Sequence, residues 1–183
     1  MKHLFFISFL FGVAWSGVSQ TNQLENRVDS LWNSWTTKTL PDTIRAEALQ
    51  LYAYEKYSRS MPDSARYWLR VSLDFAIGHQ LKRFEISAMN EMGETFIQQS
   101  KYDSAIYYFN IALTESEKAD DIKGMSSALT GLGNAYRITK NFDESLKYHD
   151  RALKLSSQIN NISGMASCYN NIGVVYRNKE TIS

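Results

Sequence analysis

Gly93, Gly133 and Gly173 stand 40 residues apart, and their surroundings keep the same step. Ala88, Ala128 and Cys168 are in register, as are Phe96, Tyr136 and Tyr176. Asp63, Asp103 and Asp143 follow, and so do Leu73, Leu113 and Leu153. A fixed period in the range of roughly 20 to 50 residues marks stacked units, each unable to bury its apolar face without a neighbour. The expectation is a solenoid of stacked units. Such arrays present an extended concave surface, so the chain reads as a docking surface and not as an enzyme.

The pattern between the repeats is helical throughout. Leu24, Val28, Leu31, Trp32 and Trp35 fall at steps of three and four, which predicts a leading helix over 22–37. Pro41-Asp42 and Pro62-Asp63 are helix-start pairs, because proline cannot continue a helix and Asp accepts bonds from free helix N–H groups. Helices are predicted over 43–59, 64–77, 81–98 and 103–118. Gly78 reads as a helix stop. The next unit repeats the inward set as Met125, Ala128, Leu129, Leu132, Gly133 and Tyr136, then Ser145, Tyr148, Ala152 and Leu153. A last first helix carries Ala166, Tyr169, Ile172, Gly173 and Tyr176. No stretch alternates like a strand.

The start of the chain is set apart. Lys2 and His3 precede an apolar run from Leu4 to Val18, and Gly17 and Ser19 place small residues before a cut at Gln20. That is the order of a secretory signal peptide over 1–19. A membrane anchor is the alternative, but the run is short for the roughly 20 apolar residues of a span. The remaining chain of roughly 164 residues is long enough for a continuous core. Without Lys2 its basic residues number 19, against 19 acidic ones, and no basic stripe forms. Nucleic acid is therefore not expected as a partner. No second long apolar segment follows, so no membrane span is expected after the leader. Cys168 is alone and cannot form an internal disulfide. It occupies the slot of Ala88 and Ala128, where packing wants a small residue.

A glycine inside a helix costs about 1 kcal/mol relative to alanine. In a stack of helix pairs the reason is space: Gly93, Gly133 and Gly173 let a side chain of the partner helix approach the backbone. Phe96, Tyr136 and Tyr176 then fill the gap between units.

These residues resemble a known family. Leu129-x-x-Leu132-Gly133-x-x-Tyr136, with Ser145 and Ala152 after it, is similar to the tetratricopeptide repeat (TPR). The preceding unit matches through Gly93, Phe96, Ala105, Phe109 and Ala112. The resemblance covers residues 42–183, as about three repeats and a final half repeat, behind a leading helix over 20–41. The family's usual period is about 34 residues. The longer step here, with both helices lengthened, resembles the kinesin-light-chain-like branch. Ala53 and Lys56 stand where later units carry glycine and an aromatic, as suits an end unit. HEAT and armadillo arrays share the longer step but lack the Gly-x-x-aromatic signature. The order of parts resembles the exported front of bacterial envelope signalling proteins. The resemblance implies an all-α, right-handed superhelix (solenoid) of antiparallel helix pairs and a protein–protein interaction scaffold, the periplasmic input or assembly segment of a signalling protein. The alternative is the N-terminal part of a longer enzyme (histidine kinase or nucleotide cyclase) or transcriptional regulator with its output domain beyond residue 183. The break inside a unit at Ser183 points to a chain cut short.

Other chemistry is thinly represented. His79 and His149 are far apart with no ligand spacing, so neither a metal nor a cofactor is expected. Gly131-x-Gly133 sits mid-helix after no strand and is no phosphate loop. Asp120-Asp121 reads as a helix start. Trp32, Trp35 and Trp68 read as packing of the end cap. The first helices should line the concave groove, with Asn90, Thr130 and Asn170, then Glu94, Asn134 and Val174, then Ile97, Arg137 and Arg177 as its exposed steps. Among them Asn134, Arg137, Asn170 and Arg177 are the candidate partner-binding set. Asn offers both donor and acceptor, and Arg binds carboxylates in a fork, so together they suit a protein or peptide ligand. A solvated polar face is the alternative.

Overall fold

Every helix from the third onward starts 20 residues after the one before it. In the computed structural model, which describes residues 23–57 and 61–181, the helices are α1 (23–36), α2 (Asp42–Tyr57), α3 (Pro62–Gly78), α4 (Lys82–Gln98), α5 (Tyr102–Lys118), α6 (Ile122–Ile138), α7 (Phe142–Gln158) and α8 (Ile162–Glu180). From α3 to α7 each helix is 17 residues long. The 40-residue period is thus two equal half-periods, a helix and a tight three-residue link taken twice. The leader over 1–19 lies outside the described residues.

One backbone device makes these links. Gln80, Ser100, Asp120, Lys140 and Asn160 adopt left-handed φ between 51° and 63°. After each, the next N–H closes back on a carbonyl five residues earlier: Leu81 on Ala76, Lys101 on Phe96, Asp121 on Ser116, Asn141 on Tyr136 and Asn161 on Ser156, at 2.8–2.9 Å. This is a Schellman cap, which satisfies the last helical carbonyls. Gly78 is therefore not the stop the sequence suggested: it lies within α3, and Gln80 makes the left-handed turn. Asp121 and Asn161 cap the helices that follow, each accepting the N–H of the residue three on (Gly124 and Gly164) at 3.0 Å. Asp120-Asp121 accordingly divides its work, Asp120 ending one helix and Asp121 starting the next.

Each helix packs against the one before and after it in the chain, giving a purely helical array of adjacent antiparallel pairs. The first helices α2, α4, α6 and α8 also touch each other in series, whereas among the described residues α3, α5 and α7 do not meet. A stack that touches along one row only must curve toward that row, so the first helices form the concave side.

The core repeats with the period. Ala53, Leu69, Leu73, Ala88 and Met92 pack together near the start, and Ala105, Phe109, Ala112, Leu113, Ala128, Leu129, Leu132, Ala152 and Cys168 form the central cluster. Phe96 stacks on Tyr108 and Tyr136 on Tyr148, both with ring centres 5.4 Å apart. Gly93 and Gly133 do what the sequence asked of them. A Cβ on Gly93 would meet the Phe109 ring at 2.6 Å, and one on Gly133 would meet the His149 ring at 2.5 Å. A Cβ on Gly131 of α6 would run into the same Phe109 ring, so two glycine backbones make room for it. Gly173 has nothing within 4 Å, and on the same helix Tyr169 and Tyr176 are exposed. At the other end α1 closes the array. Trp32 packs on Tyr52 and Trp68, and Trp35 lies edge-on to Phe75 with Arg45 over its ring.

Candidate functional site: the concave hollow

The concave side carries a hollow of about 620 Å³. Its lining follows the 40-residue register. Glu47, Ser87, Ser127 and Ser167 occupy one slot of α2, α4, α6 and α8, and Gln50, Asn90 and Thr130 another. Phe84, Gly124 and Gly164 occupy a third at the start of α4, α6 and α8. The hollow exists because two of these slots carry Ser or Gly in the later units. Gly124 and Gly164 are small for a second reason, since a Cβ there would run into Ser116 and Ser156 of the preceding helix.

The slot of Gln50 and Asn90 joins neighbouring units. Gln50 Nε2 donates to the Phe84 carbonyl at 2.7 Å, and Asn90 Nδ2 donates to the Gly124 carbonyl at 3.4 Å. Asn90 was expected as an exposed groove step; it is only 7% exposed because this bond draws it between α4 and α6. Since its amide nitrogen must serve a carbonyl, the oxygen is the atom left over. That Oδ1 is buried without a partner.

Glu91 lies beside it and lines the hollow. Its carboxyl accepts from Ser87 Oγ at 3.2 Å, but Oε2 is buried with no donor. Burial raises this carboxyl to about 7, against a small opposing effect of the Ser87 bond. Glu94, one turn on, reaches solvent within the hollow yet is ringed by protein, and that partial desolvation raises its carboxyl too. Arg83 and Lys123 stand at the rim, exposed.

The four residues singled out from the sequence lie elsewhere. Asn134 and Arg137 are half-buried on α6, and Asn170 and Arg177 are exposed on α8. None of them lines the hollow; Asn90, Glu94 and Thr130 of the expected groove steps do. Sequence reasoning missed Glu91 and the serine slot. The signal was available in the row Glu47, Ser87, Ser127, Ser167, where a repeated small polar residue on a concave helix marks unfilled space.

His149, set aside above as a metal ligand, is wholly buried. It takes the slot of Phe109, neither ring nitrogen has a partner, and burial pushes it down to about 4, helped by the Arg137 charge. Cys168 is buried as expected, its thiol raised by desolvation. Among the described residues no group of three or more His, Cys, Asp or Glu could hold a metal ion, and no helix is long and apolar enough to cross a membrane.

The comparisons with known proteins agree with this geometry. The tetratricopeptide repeat profile matches residues 124–180, covering α6, α7 and α8. The fold is TPR-like. It is similar to the crystal structure of BtubC (BKLC) from P. vanneervenii, with a TM-score of 0.68 and 18% identity over 88% of this chain and 68% of that one. It is also similar to nearly identical TPR-like repeats of a kinesin light chain-like protein from Podosopora anserina, with a TM-score of 0.63 and 12% identity over 99% of this chain and 90% of that one. At these identities the likeness concerns the fold. No curated protein matches this chain.

Proposed function

We propose that this chain is a non-catalytic interaction scaffold that holds an extended protein segment along its concave side. The observation that carries the reading is the 620 Å³ hollow, lined in register by four successive first helices. An extended segment suits it, because the lining repeats along the stack and offers the same slots unit after unit. A segment continuing toward the far end of α6 and α8 would meet the Asn134, Arg137, Asn170 and Arg177 set. The test is site-specific photocrosslinking on the full chain. A photoreactive residue at Ser127 in the hollow should capture a protein partner, while one at Lys154 on α7 should not. Equal capture at both positions, or capture at Lys154 alone, overturns the reading.

The scaffold is proposed to be exported to the periplasm, as the input or assembly segment of a signalling protein. Support comes from the basic start, the apolar run and the small residues at Gly17 and Ser19. N-terminal sequencing of the exported product should begin at Gln20; a product retaining Met1 in the cytoplasm refutes export. The enzyme-linked alternative places a histidine kinase, cyclase or DNA-binding domain downstream of residue 183.

A further inference from the structure

The lining of the hollow carries more carboxyls than cations, Glu47, Glu91, Glu94 and Asp121 against Arg83 and Lys123. Asn90 is more than nine-tenths buried, and its Oδ1 has no partner because the amide nitrogen is committed to the Gly124 carbonyl. Glu91 adds a second unmet acceptor in Oε2, and Glu94 adds an exposed carboxyl one turn on. A buried carboxylate without a partner is costly, and an entering cation relieves that cost. An ammonium or guanidinium group carries a positive charge and only donors, which suits a lining with an excess of carboxyls. We propose that this hollow takes the basic side chain, lysine or arginine, of an extended partner segment, with the Glu91 and Glu94 carboxyls as its counter-charges. The proposal rests on the groove-binding reading and specifies the chemistry of its occupant.

The surrounding charges support this assignment. From α2 the hollow is faced by Glu47, and from α4 by Arg83 besides Glu91 and Glu94. From α6 it is faced by Asp121, whose carboxylate caps Gly124, and by Lys123. From α8 it meets Gly164, Ser167 and Cys168, none of them charged, the thiol being raised. Arg83 and Lys123 are exposed at the mouth, where water and salt screen them. Glu91 sits deeper than either, where a charge interacts more strongly.

Because the free Glu91 carboxyl titrates at about 7, a bound cation must displace its proton. Affinity for a basic probe should therefore rise about ten-fold between pH 6 and pH 8, the change that a site titrating at 7 imposes on a ligand that needs it ionised. The experiment follows amide shifts of the isotope-labelled full chain during titration with three extended decapeptides. These are alike except for a central arginine, alanine or glutamate. The arginine peptide should bind most tightly and perturb residues 87–94 and 126–130. Glu91→Gln should weaken it about ten-fold, flatten its pH dependence and shrink its advantage over the alanine peptide. Glu94→Gln, at a more open position, should weaken it less. Alanine or glutamate peptides that bind these residues as tightly as arginine, or a Glu91→Gln variant with unchanged affinity and pH profile, overturn the cationic assignment but leave the groove reading standing. No perturbation in the hollow by any of the three overturns both.

Discussion

At the scale of single residues, the 40-residue register separates positions that share a slot from positions that share an environment. Phe109 and His149 are equivalent by sequence, and each ring lies on the glycine of its own unit. Phenylalanine suits that dry slot, whereas an imidazole leaves two nitrogens without partners. The folded His149 titrates at about 4, while the unfolded side chain titrates near its usual value of about 6.5. Below about 6.5 the unfolded chain gains a proton that the folded chain refuses. The His149 contribution is therefore complete above that pH and is lost as pH falls toward 4, by at most about 3 kcal/mol. His149→Phe should remove this loss. Urea unfolding at pH 5 and pH 7.5 should show the variant's advantage growing at the lower pH; an advantage independent of pH would refute the buried neutral imidazole. The glycines give a matched pair. Gly93→Ala should destabilise by about 1–3 kcal/mol because the new methyl overlaps the Phe109 ring. Gly173→Ala meets open space and should stabilise by up to about 1 kcal/mol through helix propensity alone. Thermal melts of the two variants should move in opposite directions.

At the scale of helices and links, five successive caps place Gln, Ser, Asp, Lys and Asn in the left-handed conformation that glycine adopts most easily. Asn and Asp tolerate it through their short polar side chains, and Lys140 does not. Lys140→Gly should stabilise by about 0.5–1 kcal/mol, the gain being trimmed by the greater freedom of glycine in the unfolded chain. Asn160→Gly should stay near neutral. Denaturant midpoints that rank these variants the other way would show that the side chains, and not the backbone turn, set the energy of the links. The absence of glycine from these positions is also why the link device was illegible in the sequence. Gly78 carried the expected signal, two residues before the true turn.

At the scale of the whole array, stability is a sum of unit and nearest-neighbour terms, so an end covered on one side only should open first. α1 covers one end with Trp32 and Trp35. α8 leaves Tyr169 and Tyr176 open at the other, at 64% and 54% exposure. Hydrogen exchange should be faster after residue 162 than in 84–155. Uniform protection through α8 would instead show that a further helix or a second copy covers that face.

The period, the helical stripes and the intra-helical glycines by themselves determined the stacked helix pairs, the slots of Phe109 and Ala152, and the role of the tryptophans as a cap. These are local or strictly periodic features, and a fixed step in sequence becomes a fixed step in space once units stack. The buried state of Asn90 and Glu91 and the place of the hollow were decided only by tertiary structure. Each depends on how far neighbouring first helices approach, and that distance is set by side chains from three helices at once. The candidate set Asn134, Arg137, Asn170 and Arg177 was chosen by exposure inferred along single helices. The hollow instead formed nearer the starts of α4, α6 and α8, where Gly124, Gly164 and the serine slot leave room between them.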